Sequence, residues 1–522
     1  PLVAARGYHN LAHEGPQMHW HVDFEDSVFH NSPDGKTDLY IQVPGASYQH
    51  TPRWYREFQY PVEQYRGLDY SEDLFNHGTF SVELKQGDSL GIIISTTPPG
   101  GRSAHELFTR EGMRRQLLIS TQPDNELFRE LTLAADQFIV NRGEDLKTII
   151  AGYHWFTDWG RDTMISLPGL CLSTGRYEDA KKILAAFAAS VSEGMLPNRF
   201  RDQGEEPEYN NVDGTLWYFI AVNKYLEVTG DRQFVLGELL PILTDIINWH
   251  YNGTRFNIKV DSDGLLFAGE EGQQLTWMDA RIGNWVVTPR RGRPVEIQAL
   301  WYNAIRIYAD LLELNGQNDD AGMMNLAADR VKKVFAQQFW YEEGNYLYDN
   351  INELGEKIPE FRPNQLFALS LPFPLIEGDK AMMVLQQVTE HLYTPVGLKT
   401  LPRSDRNYQP VYGGDVYHRD SAYHEGTVWS WLLGPYTDAI MKVHGNSGRV
   451  LAQKVIDNFS YHLNEACIGS VSEIFDAEPP HHPRGCVAQA WSVGEILRIM
   501  RDYRLYDSQT QAAETKMVLS EA

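Results

Sequence analysis

S-T-G-R-Y-E-D-A-K-K-I-L, Ser173 to Leu184, follows an apolar run from Met164 to Leu172. A glycine closes the apolar segment and a charged, amphipathic one begins at once. Gly at a helix C-cap with polar residues behind it is a stop-and-restart signal. The device recurs at V-T-G-D-R-Q-F-V around Gly230, L-N-G-Q-N-D-D-A around Gly316, I-E-G-D-K-A-M-M around Gly378 and G-N-S-G-R-V-L-A around Gly448. With both members of each pair counted, this predicts about twelve helices from Asp124 onward. Uneven spacing and long loops argue against an open solenoid. Helices that alternate between apolar and amphipathic suit two concentric layers, the inner one buried all round and the outer one half wet. Roughly six pairs would close a ring. The predicted fold is mainly α: an (α/α)6 barrel over residues 123–508, with its loops gathered at one mouth.

Upstream, the period is two. T-D-L-Y-I-Q-V-P-G (Thr37 to Gly45) alternates and ends in turn residues, and F-S-V-E-L-K-Q-G-D-S-L-G-I-I-I-S (Phe80 to Ser95) reads as a hairpin. Pro98, Pro99, Gly100 and Gly101 close the region. Residues 1–122 are predicted to form an N-terminal antiparallel β-sandwich domain, and residues 509–522 a polar tail. About two domains are what a chain of 522 residues should hold.

The formal charge of −24 argues against nucleic acid or an anionic membrane as partner, because both need a basic patch. No apolar run approaches the ~18–20 residues of a membrane span. Three cysteines, Cys171, Cys467 and Cys486, form no metal-like spacing; they read as a reducing, cytoplasmic setting without disulfides. The first residue is Pro1, not Met, which leaves a removed leader open. Oligomeric state is not legible in the residues.

Odd clusters recur where inner helices should begin. G-Y-H-W-F-T-D-W-G-R-D-T (Gly152 to Thr163) leads into the first apolar run, and N-N-V-D-G-T-L-W (Asn210 to Trp217) opens another. L-T-W-M-D-A-R (Leu275 to Arg281) lies in a long loop before R-P-V-E-I-Q-A-L-W-Y-N-A (Arg293 to Ala304). Y-H-E-G-T-V-W-S-W (Tyr423 to Trp431), G-S-V-S-E-I-F-D (Gly469 to Asp476) and G-C-V-A-Q-A-W-S (Gly485 to Ser492) complete the set. Nine of the 13 Trp residues fall in or beside these clusters, where a core would scatter them over both layers. A sugar site needs them together, since pyranose C–H faces pack on aromatic rings while carboxylates, amides and guanidinium take the hydroxyls. Trp155 and Trp159 would wall such a pocket, and Arg161 and Asp162 would grip hydroxyls at its closed end. The plainer alternative is that W-x-x-x-W is core and Arg-Asp a capping pair at a helix start.

Glycoside hydrolysis needs two carboxyl groups, one protonated and one ionised. Many acids lie in these loops, and chemistry alone narrows them little. Asp279 has the apolar neighbours Trp277, Met278 and Ala280, which should raise its pKa as a general acid requires. Glu473 sits on a short polar segment that a water could approach. H-E-G-T is not H-E-x-x-H, and His481-His482 has no partner at ligand spacing. Neither a metal nor another cofactor is expected.

At these clusters the chain resembles the glucosidase part of glycogen debranching enzymes, the amylo-α-1,6-glucosidase family, and more distantly glucoamylases. F-T-D-W-G-R-D-T, T-W-M-D-A, E-I-Q-A-L-W-Y-N-A, H-E-G-T-V-W-S-W, S-E-I-F-D and G-C-V-A-Q-A-W-S-V-G-E match in order. The resemblance implies an inverting exo-glucosidase that releases glucose from α-1,6 branch points of a glycogen-type glucan. It puts Asp279 at the general-acid position and Glu473 at the general-base position. Arg161 and Asp162 match the pair that binds the terminal glucose. Trp155, Trp277, His424, Glu425 and Trp429 match the pocket wall; Asp213 and Trp491, in the same clusters, join the binding set. Ser430 and Val487 stand where proline is common, and neither is a catalytic position. No strand–helix alternation of a (β/α)8 glucanotransferase domain is present in this sequence. A glucoamylase-like α-1,4-glucosidase is the alternative on the same fold, and a non-catalytic glucan-binding protein the alternative of another class.

Overall fold

A computed structural model describes residues 1–506 apart from 8, 17–19, 144 and 201–205. The polar tail expected at 509–522 lies outside the described residues. By contacts the chain divides into two units, one of residues 1–121 with 414–416, the other of 122–413 and the chain from 417 on.

The second unit is helical, and glycine punctuates it as the sequence suggests. Gly230 ends a helix in the left-handed conformation, φ 67°, with its N–H returning to Leu226 O. Its helices are α2 (Glu126–Phe138), α3 (Gly160–Leu167), α4 (Tyr177–Ala188), α5 (Asp213–Thr229), α6 (Leu240–Asn252) and α7 (Val295–Leu314). They continue as α8 (Asn318–Gln338), α9 (Phe367–Ser370), α10 (Gly378–His391), α11 (Leu433–His444), α12 (Arg449–Phe459) and α13 (Ala490–Asp502); α1 belongs to the first unit. Six of these helices form one set. In that set α3 touches α5, α5 touches α7, and so on through α9 and α11 to α13, which returns to α3. The others pack outside, α8 on α7 and α12 on α11. Burial follows this division. In α7 the whole run from Val295 to Ile305 is buried. In α8 only Ala321, Ala328, Val331 and Phe335 are, a single stripe at helical spacing. The first and last members of the set meet backbone to backbone. Past Pro168, α3 continues as a wider turn, and a Cβ on Gly169 would lie 1.7 Å from Gly494 O of α13.

The first unit has a four-stranded antiparallel sheet in the order β1 (Asp23–Glu25), β2 (Val28–Asn31), β3 (Leu39–Gln42), β6 (Ile93–Ser95). Phe29, Ile41 and Val43 form its core. A separate long antiparallel pair joins β4 (Ser47–Gln59) to β5 (Ser71–Ser81). Two expectations need correction. Phe80 to Ser95 is not a hairpin: Phe80 and Ser81 pair with Tyr48 and Ser47, whereas Ser95 pairs with Tyr40. The alternation between them buries no face, and Leu84 is exposed. The region is also not all strand, because α1 (Ala104–Ser120) is a full helix. Ser103 caps it by accepting from Glu106 N, which offsets one orphan donor of the first turn. Helical period was hard to see there because no residue of α1 is buried; Phe108 is 80 % exposed.

Candidate active site

Two short ladders gather the sequence clusters. Gly152 and Tyr153 pair with Gln489 and Ala488, which ties the loop before α3 to the loop before α13. Val428 and Trp429 pair with Phe475 and Ile474, which sets the S-E-I-F-D segment beside the H-E-G-T-V-W segment. A further backbone bond, Val212 N to Leu275 O at 2.8 Å, joins the start of α5 to the T-W-M-D loop. Clusters more than three hundred residues apart in sequence therefore meet at the N-terminal ends of the contacting helices.

Arg161 is the hub of the carboxylates. Its Nε donates to Asp213 Oδ1 at 2.8 Å and its Nη1 to Asp279 Oδ2 at 3.4 Å. Arg161 thus reaches across the helix set, not back to its own helix start, which disposes of the capping alternative. Burial opposes its charge, but Asp213, Asp279 and Asp162 outweigh that and hold it firmly protonated. Asp162 accepts from Gln489 Nε2 at 3.5 Å. Burial, then the neighbouring charges of Asp279 and Glu473, push its carboxyl up to about 7 against the pull of Arg161. Asp213 is raised by burial in the same way.

Asp279 departs from expectation. Burial pushes its carboxyl up, yet His424 and the Arg161 guanidinium together pull it below the ordinary range. The apolar neighbours in sequence were a poor guide, because a cation from another helix is nearer. His424 Nε2 stands 3.9 Å from Asp279 Oδ1, and the Asp279 side chain keeps 34 % of its surface open. Both His424 ring nitrogens are buried without a hydrogen bond, and burial lowers the imidazole pKa. Glu473 is 3 % exposed and firmly held. Tyr423 donates its hydroxyl to Oε1, and Cys486 N donates to Oε2 at 2.6 Å. Gly485 leaves room for this: its φ is 65°, and a Cβ there would lie 2.3 Å from Glu473 Oε2.

The indoles form a stack more than a wall. Trp277, Trp429 and Trp491 are almost wholly buried. Trp277 meets His424, Trp429 and Trp431 edge-on, each at 5.3 Å, and Trp431 stacks on Trp491 at 5.1 Å. His424 lies flat on Trp429 at 5.2 Å. Trp155 and Trp159 are half-buried and pack against Phe156, with the Arg199 guanidinium over Trp159. Glu425 is engaged elsewhere, accepting from Thr288 Oγ1 at 2.7 Å and from Arg362 Nη2 at 3.0 and 3.1 Å.

Similarity to known proteins agrees with this geometry. The family described as Amylo-alpha-1,6-glucosidase matches residues 133–498, the larger part of the chain. The chain belongs to the amylo-alpha-1,6-glucosidase family of glycogen debranching enzymes. The description Glycogen debranching enzyme N terminal matches residues 1–91. A glycogen debranching enzyme of Saccharomyces cerevisiae is 26% identical over 394 residues, 58% of this chain and 26% of the yeast protein. The mitochondrial neutral/alkaline invertase 1 of Oryza sativa subsp. japonica is 21% identical over 394 residues, 66% of this chain and 59% of its own. Solabiose phosphorylase of Paenibacillus borealis is 25% identical over 335 residues, 57% of this chain and 40% of its own. The chain thus spans about a quarter of the yeast relative's length.

In this amylo-alpha-1,6-glucosidase family member, several supporting residues escape a reading by sequence. Asn364 accepts from Trp277 Nε1 at 2.8 Å and donates to Asp349 Oδ1 at 3.1 Å, pinning the loop that carries Asp279. Arg362 fixes Glu425 and donates to His424 O at 2.6 Å. F-R-P-N-Q has no helical or ligand spacing to flag these two. Tyr423 and Gln489 do have a signal, since each lies inside a quoted cluster beside a predicted site residue.

Proposed function

We propose that the chain is an inverting, exo-acting glycoside hydrolase that releases glucose at α-1,6 branch points of glycogen-type glucans. Family membership and the carboxyls of Asp279 and Glu473, both acting on Asp162, on which the Arg161 guanidinium also acts, support the reading. The cyclic contacts of α3, α5, α7, α9, α11 and α13 support reading the helical unit as an (α/α)6 barrel with the cluster at its mouth. The sheets of the first unit are taken as its antiparallel sandwich.

Asp279 protonates the glycosidic oxygen, and Glu473 takes a proton from water on the opposite face of the ring. Tyr423 and Cys486 N fix the Glu473 oxygens, which leaves the carboxylate ionised and aimed. Asp279 must carry a proton at that moment. In the free protein His424 and Arg161 together outweigh burial and keep it ionised, while Asp162 beside it retains a proton to about pH 7. A sugar seated over the open third of Asp279 excludes water and favours its neutral form. The carboxyls of Asp213, Asp279 and Asp162 all act on the same Arg161 guanidinium. Their shared negative charge around a single guanidinium disfavours phosphate as attacking group and favours water.

The observation that carries the proposal is that a part-open Asp279 and a buried Glu473 both lie close enough to Asp162 to raise its carboxyl, a pairing that binding without catalysis would not need. Incubation with an isomaltosyl-branched limit dextrin and, separately, with maltotriose tests it. Glucose is expected from the dextrin much faster than from maltotriose. Preference for maltotriose would make it an α-1,4-glucosidase, and no glucose from either would leave only a glucan-binding protein.

A further inference from the structure

We infer that His462, which lies outside every segment assigned to the site above, is a positioning residue for the base: its ring nitrogen Nε2 accepts from the backbone N–H of Ser472 and so holds Glu473, the next residue, in place. The inference rests on the reading of Glu473 as general base. His462 sits on a short helical turn, Ser460–Asn464, that follows α12. The chain then doubles back, with Gly469 N donating to Leu463 O at 2.8 Å, and this returns Ser472 to the imidazole.

The ring is fully buried, and Ser472 N donates to its Nε2 at 3.1 Å. A ring nitrogen that accepts a backbone N–H carries no proton, so the proton of the neutral imidazole sits on Nδ1. Nδ1 lies 3.5 Å from Glu465 Oε2, at the edge of hydrogen-bond range. Burial lowers the imidazole pKa against the pull of Glu465, which keeps the ring neutral and the acceptor available. The same ring meets Phe475 edge-on at 4.6 Å, so it backs the segment around Glu473 with a polar contact before it and an apolar one after it. The other backbone ties of that segment run to the last motif: Gln489 N donates to Val471 O at 2.8 Å, and Glu473 N to Cys486 O at 2.9 Å. His462 supplies a tie from outside that motif. Ser472 is buried, so without the imidazole its N–H has no water to turn to and is left unpaired. The backbone then shifts to find a partner, and Glu473 shifts with it, away from the Tyr423 hydroxyl and Cys486 N that aim its carboxylate. A small displacement of a catalytic group is felt in turnover more than in binding.

A histidine that merely fills the core would be replaced equally well by an apolar side chain, and this sets the test. Glutamine keeps an acceptor where Nε2 stands; leucine fills the space and offers none. Full-chain variants are assayed on an isomaltosyl-branched limit dextrin. His462→Gln should keep kcat within a few-fold of the unaltered chain. His462→Leu should lose about a hundredfold in kcat with KM little changed, because no group that touches the sugar is altered. If His462→Leu does not fold, His462→Asn takes its place, since its shorter amide falls short of Ser472 N and should show the same loss. Equal loss in both variants, or loss in neither, overturns the inference. Nitrogen NMR of the full chain labelled at histidine gives a reading free of kinetics. It should show a ring with a bare Nε2 and a protonated Nδ1 that vanishes in His462→Gln; a proton on Nε2 of that ring also overturns the inference. Failure of the catalytic reading looks different: the unaltered chain itself releases no glucose, whereas failure of this inference leaves it fully active.

Discussion

Burial raises the Asp279 carboxyl, but His424 and Arg161 together outweigh it. Arg161 sits between Asp213 and Asp279, so Asp279 is ionised at rest, while burial retains the proton at Asp162. Sequence neighbours suggested the reverse, because residues adjacent in the chain say nothing of a charge arriving from another helix. Asp279→Asn and Glu473→Gln should each lower kcat about a thousandfold, the usual scale of acid–base assistance, with the melting temperature within a few degrees. Unchanged turnover in either variant removes that residue from the mechanism. Asp162 makes a separate prediction about stability. Its folded pKa lies above the unfolded value of 3.8, so the folded chain binds more protons between about 4 and 7 and loses stability as pH rises through that window. Asp162→Asn lacks this loss. Its melting temperature relative to the unaltered chain should therefore climb from pH 4 to pH 8; a difference independent of pH contradicts the raised carboxyl.

At the scale of elements, the two-residue ladders do what the long helices cannot. Trp429 against Ile474 joins the segments of His424 and Glu473, and Gln489 against Gly152 joins the last motif to the loop before Arg161 and Asp162. Gly485 closes the turn that aims Glu473. An alanine there meets both a left-handed backbone, about 1–2 kcal/mol, and the carboxylate itself. Gly485→Ala should cut kcat strongly while changing KM little, because it displaces the base and not the sugar-binding groups. Full activity in that variant would show that Glu473 needs no such aim. The helices were legible in sequence because Gly175, Gly230 and Gly316 mark where each stops, and because α7 is apolar all round whereas α8 carries one stripe. The first unit was less legible. Its alternating segment at Phe80 to Ser95 serves two different sheets, and α1 hides its period by burying nothing.

At the scale of the whole molecule, the six matched motifs are distant in sequence and meet only because the helix set closes on itself through α13 and α3. Motif order made the cluster readable; the supporting shell of Asn364, Arg362 and Thr288 was not, since those contacts arise from packing alone. The indoles illustrate the limit. Sequence grouped nine of them, but Trp301 packs on His250, Trp285 is exposed against Tyr417, and Trp277, Trp429 and Trp491 lie buried in a stack that backs the loop bearing Asp279. In the proposed mechanism, water attacks opposite the bond whose oxygen Asp279 protonates. Proton NMR of the first glucose released from an isomaltosyl-branched limit dextrin reads this directly. The β-anomer signal should appear first and the α-anomer only as mutarotation proceeds; an initial α-anomer signal would mean retention and contradict the mechanism.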